Sequence, residues 1–310
     1  MIRCAPALLL AFAIPASAQK TKAWTPSRTP DGQPDLQGMW TNGTITPLER
    51  TAEFAGKTTL TELEAAAFEK RIAEERSRPP KAGEVTETWL EPGTKVLSSR
   101  QTSLVIDPPD GRIPLTAAAE AKRDDNFAHS SDSYERMGPR ERCITRGMPA
   151  EMFPAGHSNA YQIVQTPGYF MLLSELIHEA HIIPLDGSPH LPQSVRQWTG
   201  DSRGHWEGNT LVVDTTNFNG KGWIATGLTA GRIRGIMQSQ RLHVVERFTR
   251  TSPDTILYEV TVDDPEVYTR PWTVSMPLTR DDSYVMYEYA CHEGNQAVEL
   301  TLRGGRAHDH

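Results

Sequence analysis

The sequence predicts a mainly β fold, an antiparallel meander that closes into a barrel or a sandwich, with an extended N-terminal arm and one or two helices. From about Tyr161 onward, short β-prone runs alternate with turns that contain Gly, Pro, Asp or Asn. Nine or so consecutive strands that would otherwise expose two edges usually close on themselves. The chain lacks a Gly-rich phosphate loop and a βαβ rhythm, so a nucleotide-binding α/β fold is not expected.

The first residues are typical of a secretory signal peptide. Met1-Ile2-Arg3 is a short basic start, and Leu8 to Ile14 is an apolar core too short to span a bilayer. Ala16-Ser17-Ala18 resembles a cleavage site, so we expect a mature protein of about 292 residues (310 minus 18). The alternative is an uncleaved anchor. The prediction is therefore a periplasmic or secreted protein.

Charge and hydropathy exclude two classes of partner. The net charge is −7 at pH 7, and the charged residues are mixed without a basic stripe, so nucleic-acid binding is not expected. No segment after the signal is apolar enough to predict insertion into a membrane. The oligomeric state stays open.

The sequence divides into the signal (1–18), an N-terminal part with arm, helix and hairpin (19–140) and a β-rich domain (141–310). The clearest helix spans 61–78, where Thr61 and Glu64 form a capping box and Pro79-Pro80 ends it. Leu63, Ala67, Phe68 and Ile72 are spaced to form its packed face. Residues 81–100 are predicted as a loop, 103–116 as strand, turn and strand, and 116–123 as a short helix.

The predicted strands of the β-rich domain are YQIVQ, YFMLLSE, HIIPL, VRQW, NTLVVDT, RLHVVERFT, TILYEVTV, PWTVSMPL and SYVMYEYA. Two of them alternate clearly with period 2. Leu242, Val244 and Phe248 share one face, and Ile256, Tyr258, Val260 and Val262 share one face of the next strand.

Two cysteines remain after the signal, Cys143 and Cys291. An oxidising compartment favours a disulfide between them, which would close a loop of about 148 residues (291 minus 143). The alternative is a free catalytic thiolate at Cys291.

Two resemblances accompany these patterns. Gly38-Met39-Trp40 and Gly204-His205-Trp206 are Gly-x-Trp motifs, and the chain resembles lipocalin-like barrels, which often begin their first strand in this way. The stretches GDSRGHWEGNTLVVDTTNF, DDPEVYTRPWT and YEYACHEGN resemble a group of uncharacterised exported bacterial proteins. This second resemblance covers most of the chain from about residue 140, supports export and implies no particular chemistry.

The histidines of the second half raise the possibility of a metal site. His178 and His181 lie near Glu175, but they are three residues apart rather than the four of a zincin helix. On a strand they would point to opposite faces. We therefore predict no metal, with one histidine inward and one solvated. The alternative is a divalent metal such as zinc on His178, His181 and Glu175.

The stretch from 200 to 218 is unusually dense in charged and aromatic residues. Glu207-Gly208-Asn209 suits a tight hairpin turn, and Asp201 and Arg203 would point the same way on a strand and could pair. Asp201, Arg203 and Trp206 are candidate substrate-binding residues. The structural alternative is a turn fixed by an Arg–carboxylate bridge.

Two carboxylates fall on otherwise apolar strand faces. Glu246 is in line with Val244 and Phe248, and Glu288 is in line with Tyr284 and Met286. A buried carboxylate must be paired, protonated or functional, and neighbouring strands offer Arg270 and Tyr258 as partners. Trp272 belongs to a set of aromatic residues that suit either core packing or the wall of a ligand pocket. For both carboxylates, a structural ion pair and a role in acid–base catalysis stay open as alternatives.

These residues predict an exported enzyme with acid–base chemistry on a small polar or aromatic substrate in a β-barrel cavity: a hydrolase, lyase or isomerase without an organic cofactor. The candidate catalytic residues are His292, Glu246 and Glu288, with Arg270, Tyr258, Trp272, Arg203, Asp201 and Trp206 as substrate-binding residues. We expect the Cys143–Cys291 bridge to orient His292. The alternative is a lipocalin-like binding protein without catalysis.

Overall fold

The computed structural model describes residues 24–79, 93–225 and 228–308. The predicted signal peptide and part of the loop predicted over 81–100 lie outside these ranges. Within them, no helix is long and apolar enough to cross a membrane.

The fold is a nearly closed antiparallel β-barrel, as predicted. Nine strands follow one another around it in the order β5-β4-β3-β1-β10-β9-β8-β7-β6, and a tenth short strand, β2, pairs with β10. Within the described residues the strands are β1 Gly38–Thr41, β2 Val105–Asp107, β3 Ala160–Thr166, β4 Tyr169–Ser174, β5 Ala180–Pro184, β6 Asp201–Glu207, β7 Thr210–Thr216, β8 His243–Ser252, β9 Thr255–Asp263 and β10 Trp272–Arg280.

Strand β1 joins the two runs of the meander. It pairs with β3 on one side and with the end of β10 on the other, where Trp40 lies opposite Arg280. The short strand β2 pairs with the beginning of the same β10 edge, where Asp107 lies opposite Thr273. Strand β1, which contains the Gly-x-Trp motif at 38–40, therefore joins the two runs of strands into one sheet.

The strand number creates one seam. Because nine strands each run antiparallel to their laddered neighbours, the two end strands, β5 and β6, lie side by side in the same direction. A parallel connection must cross the length of the barrel, and residues 185–200 make that crossing. A Cβ on Gly204 of β6 would meet Leu185 at 2.5 Å and Ile183 at 3.1 Å, so side chains pack closely across the seam.

Large side chains fill the barrel. The alternation predicted for β8 and β9 is confirmed, because Val244, Phe248 and Tyr258 all point inward and are at most 1% exposed. The bulkiest inward residues of the other strands, all fully buried, are Trp40, Tyr161, Phe170 and Trp272. The interior is therefore a packed core, as in other small barrels.

Three α-helices lie within the described residues: α1 Glu62–Arg76, α2 Ala117–Ala128 and α3 Ala297–His308. The capping box of Thr61 and Glu64 is present at α1. Phe68 packs against Phe54 at 5.3 Å between ring centroids, but Leu63, predicted on the packed face, is 84% exposed. Helix α3 was not predicted, since its Gly304-Gly305 pair has poor helix propensity.

Three predicted β elements differ from the structure. The second arm of the 103–116 hairpin does not pair with the first: β2 pairs with β10 instead, and Leu115 bridges to Tyr268. VRQW contributes only an isolated bridge at Gln197, and SYVMYEYA is not a strand. Strand β10 pairs with β9 on one edge and with β1 and β2 on the other. The run SYVMYEYA, which follows β10, therefore has no free edge of β10 to pair with.

Residues 281–296 form an irregular segment that we call the C-terminal strap. It returns over one end of the barrel, where the Cys143–Cys291 disulfide holds it with 5.7 Å between the Cα atoms. The Tyr284 hydroxyl donates to Oε1 of Glu175 at 2.6 Å, and His178 Nδ1 lies 2.7 Å from the Tyr289 carbonyl oxygen. The predicted disulfide is therefore present, and it anchors a strap rather than a last strand.

Candidate functional site

The polar groups of the barrel gather at one end, which we call the cap end. The register places the last residues of β1 and β4 there with the first residues of β3 and β5. Residues 143–159 cover this end, because the Asn42 amide donates to the Met152 carbonyl at 2.6 Å and the Tyr161 hydroxyl donates to the Glu151 carbonyl at 2.9 Å. The opposite end carries apolar inward residues such as Phe170 and Leu278.

Glu151, Glu179 and His181 form what we call the buried cluster, beneath this cover. One ligand atom from each side chain lies within 4.8 Å of the others. Glu151 Oε2 lies 2.9 Å from His181 Nε2, and the Glu151 side chain is fully buried. The ring N–H lacks hydrogen-bond alignment with that oxygen, and neither Glu151 oxygen has a hydrogen-bond donor among the described residues.

Burial and charge set the protonation of this cluster. Burial raises the pKa of Glu179 to about 7, helped by the nearby Glu151 charge and opposed by His181 and the Thr145 hydroxyl. Burial alone would lower the pKa of His181, but Glu151 outweighs it and raises that pKa to about 9. The raised pKa keeps His181 cationic near pH 7, beside the carboxylate of Glu151.

Glu246 lies on β8 one layer deeper in the barrel. Its Oε1 accepts a hydrogen bond from the Tyr258 hydroxyl at 2.8 Å, and both residues are almost fully buried. Burial raises the pKa of Glu246 to about 7 and that of Tyr258 well above 10. Tyr258 is one of the two partners that the sequence offered for Glu246, and this pairing is confirmed.

A second histidine–carboxylate arrangement lies on the outer face of the cap end, and we call it the surface cluster: His190, Asp201, Asp214 and His243. His190 bridges two carboxylates, with Nδ1 3.0 Å from Asp201 Oδ2 and Nε2 2.9 Å from Asp214 Oδ1. The other oxygen of Asp214 lies 2.7 Å from His243 Nε2. That contact lowers the pKa of Asp214 and raises the pKa of His243.

Asp201 is the fixed point of the surface cluster. It is 5% exposed, accepts a hydrogen bond from the Leu191 backbone N–H at 2.9 Å and lies 2.9 Å from Arg203 Nη1. The hairpin turn predicted at Glu207-Gly208-Asn209 joins β6 to β7. The predicted pairing of Asp201 with Arg203, which are neighbours on one strand face, is confirmed. This pair is the Arg–carboxylate bridge that the structural alternative predicts.

A groove opens between the C-terminal strap and the segment that carries Cys143, and we call it the strap groove. Its volume is about 430 Å³, within the range of small-molecule sites. Residues that line it include Arg140, Glu141, Glu288, Tyr289, Cys291 and Asn295.

One side of the groove is built from stacked rings and a guanidinium. His157 lies nearly parallel to Tyr289, with 5.9 Å between ring centroids and 6° between planes. Arg140 Nη2 lies 3.0 Å from His157 Nε2. Burial, with the charges of Arg140 and Arg146, lowers the pKa of His157 to about 4. His157 is therefore neutral near pH 7 and accepts the hydrogen bond from Arg140.

The structure does not bring the three predicted catalytic residues together. Glu246 is inside the barrel, whereas Glu288 and His292 are exposed on the strap. Glu288 lines the strap groove, and His292 lies in the turn that follows. The prediction of an inward Glu288 requires a strand over 283–290, and that prediction is wrong, because these residues form no strand.

The predicted substrate-binding residues also separate. Arg270 is half exposed and pairs with Asp107 at 2.6 Å on the outside, so it is not the partner of Glu246. Trp272 and Tyr258 are fully buried core residues. Trp206 is partly buried against the core, with its indole N–H lacking a hydrogen-bond partner among the described residues.

The alternative metal ligands predicted from sequence do not meet. His178 is exposed in the 3-10 turn before β5, and His181 is buried on β5, so one histidine is inward and one is solvated as predicted. Glu175 is held by Tyr284. Of that set, His181 alone belongs to the buried cluster, and neither Glu151 nor Glu179 is among the residues predicted as ligands. The Glu-x-His spacing of 179 and 181 was an available signal, since residues two apart share a strand face.

Comparisons with protein-family models, with curated proteins and with solved structures each found no match. The chemistry of these sites is therefore inferred from their own geometry.

Proposed function

We propose that this is an exported protein that acts on a small aromatic carboxylate bound in the strap groove, with acid–base chemistry at Glu288. The observation that carries the proposal is the groove itself. It places a guanidinium, an aromatic ring and an exposed carboxylate around one volume of about 430 Å³.

Arg140 supplies the recognition of the anionic group. Its hydrogen-bond contact is with neutral His157, and no carboxylate of the described residues lies within ion-pair distance of it. A guanidinium presents five N–H donors in a rigid fork that matches a carboxylate. One of its nitrogens is held by His157, and the others are available to a ligand.

Tyr289 supplies the aromatic wall. The disulfide at Cys291 and the contact of His178 with the Tyr289 carbonyl hold its backbone, and the ring of His157 backs its side chain. An aromatic ring fixed on one face offers the other face or its edge to a ligand ring.

Glu288 supplies the carboxylate for proton transfer. It lines the same groove one residue before Tyr289 and is exposed, so substrate can reach it. Glu246 is enclosed by packed side chains, so within this proposal it has a structural role.

The filled barrel interior favours a ligand site in the strap groove over the interior site of a lipocalin-type carrier. A carrier of that type holds its ligand inside the barrel, and here inward positions carry fully buried Trp40, Tyr161 and Trp272.

Binding is tested by calorimetry with benzoate, 4-hydroxybenzoate and, as the uncharged comparison, benzamide. We expect the acids to bind and benzamide to bind at least tenfold more weakly. Arg140→Gln should weaken the acids at least tenfold. Arg270→Gln is the matched control, because Arg270 is an exposed arginine paired with Asp107 away from the groove. Equal loss in both variants, or acids and amide binding alike, would contradict the proposal.

Turnover and export need separate measurements. Consumption of substituted aromatic acids, followed by mass spectrometry, should require Glu288, whereas Glu288→Gln should still bind benzoate. Turnover unchanged in that variant would refute the catalytic assignment. Expression with the native leader in a Gram-negative host should give periplasmic protein that begins at Gln19, and retention of the leader in the cytoplasm would refute export.

A further inference from the structure

The buried cluster has an unusual deficit of hydrogen-bond donors. Glu151 is fully buried, yet neither of its oxygens has a donor among the described residues. A carboxylate buried in this way is strongly unfavourable unless a cation or donors compensate for the lost water. His181 is close enough to compensate by charge, but its ring N–H does not point along a hydrogen bond to Glu151.

The three side chains converge on one point. Their nearest ligand atoms all lie within 4.8 Å of one another, and the closest pair is 2.9 Å apart. In a tetrahedral zinc site with bonds of about 2.0–2.1 Å, ligand atoms are about 3.3–3.4 Å apart. Small side-chain shifts would bring this cluster to that spacing.

The surroundings hold one of the ligands in place. The Thr145 hydroxyl contacts both carboxylate oxygens of Glu179, at 2.9 and 2.8 Å. Thr145 is buried and lies two residues from the disulfide-bonded Cys143. Outer contacts of this kind orient ligands in known metal sites.

We propose that Glu151, Glu179 and His181 bind one divalent transition-metal ion of the zinc class. One imidazole nitrogen with two carboxylates suits zinc, cobalt or manganese, whereas calcium and magnesium prefer oxygen ligands alone. Two carboxylates also balance the charge of a divalent ion. The site is independent of the ligand proposed for the strap groove.

The surface cluster does not share this property. Asp201 and Asp214 each have donors on both oxygens, and the contacts run in a chain instead of meeting at a point. It therefore serves as the control for histidine and carboxylate content.

The experiment uses the full mature chain, stripped with a chelator and titrated with Zn²⁺ by calorimetry, with Co²⁺ as a spectroscopic probe. We expect one equivalent of Zn²⁺ to bind. Co²⁺ should give the visible absorption bands of a site with fewer than six ligands. Glu151→Gln and Glu179→Gln should each weaken Zn²⁺ binding at least tenfold. Both are near-isosteric, and circular dichroism confirms that they fold.

Two controls separate this site from other histidines. His190→Asn and the tail variant His308→Ala/His310→Ala should bind Zn²⁺ as the parent does. Binding that is lost in either control but kept in both glutamine variants would overturn the proposal, as would a stripped parent that binds no Zn²⁺ or Co²⁺. If the glutamine variants do not fold, His181→Asn with the Co²⁺ spectrum decides, and an unchanged spectrum overturns the assignment.

Discussion

The buried cluster and the surface cluster contain the same kinds of side chain at the same end of the barrel, but they are satisfied differently. In the surface cluster each carboxylate oxygen meets a histidine, an arginine or a backbone N–H at 2.7–3.0 Å. In the buried cluster Glu151 has charge nearby and no aligned donor. A cluster whose carboxylate oxygens all have hydrogen-bond or ion-pair partners needs no further ligand, whereas a buried carboxylate without donors indicates a missing partner.

The largest expected difference is in stability. In chelated protein, His181→Ala removes the cationic ring 2.9 Å from the buried Glu151, leaves Arg146 as a cationic neighbour, and should cost about 3–5 kcal/mol of unfolding free energy. His190→Ala should cost about 1 kcal/mol or less, because His190 and Asp214 are partly exposed and the buried Asp201 keeps Arg203 and the Leu191 N–H. Urea unfolding measures both. Equal costs would remove the distinction between the two clusters.

Removal of the disulfide should have the next largest effect. Cys143→Ser/Cys291→Ser releases the constraint between residues 148 apart and should lower the unfolding free energy by about 2–5 kcal/mol. Because the strap lies beside the residues around Glu179, Zn²⁺ binding should also weaken in this variant. Calorimetry with the oxidised parent as control measures that coupling. Unchanged stability and unchanged affinity would mean that the strap is not anchored by this bond.

Glu246 provides a pH test on a buried carboxylate that is not itself one of the proposed ligands. Its pKa is raised by burial from 4.5 to about 7, so the folded state is favoured while the group is protonated. Stability should therefore fall by about 3 kcal/mol as the pH rises from about 4.5 through 7. Glu246→Gln should remove this part of the pH dependence. Urea unfolding of chelated protein at pH 5 and pH 8 tests it, and parallel pH profiles for both proteins would contradict it.

The smallest effect is expected at Asp214. Its side chain is 36% exposed, so its pair with His243 is partly screened by solvent. Asp214→Asn should lower the unfolding free energy by about 0.5–1 kcal/mol, and the loss should shrink at high salt. The lowered pKa of Asp214 means that its contribution is present near neutral pH and is lost as the pH falls through that pKa. A loss above 2 kcal/mol would place the surface cluster in the same energetic class as the buried one.

Many of the strands could be predicted from local sequence, because apolar and polar residues alternate with period 2 wherever one face of a strand is buried. Ile256 to Val262 is the clearest case, with all four inward positions fully buried as predicted. The last run, 283–290, has equal β propensity but no free sheet edge, and sequence alone cannot show that β1 and β2 already occupy the edge of β10.

The sites were less predictable for the same reason. Glu151 lies in an irregular segment without periodicity, and its position under the barrel end depends on contacts such as that of Asn42 with Met152. His190 is eleven residues from Asp201 and meets it only because the 185–200 connection crosses the barrel. Asp201 with Arg203, by contrast, is a same-face pair on one strand, and such pairs can be predicted.

The seam between β5 and β6 has a consequence for the motion of the whole molecule. Backbone N–H groups in a continuous ladder exchange their hydrogens only when that ladder opens. Among the described residues, the N–H groups that face the seam have no ladder partner across it and are covered there by side chains such as Ile183 and Leu185. Deuterium should therefore enter along this line first and mark it as the natural place where the cylinder unrolls. The nine strands would then open as one long ribbon, with β10, Trp272–Arg280, at its middle.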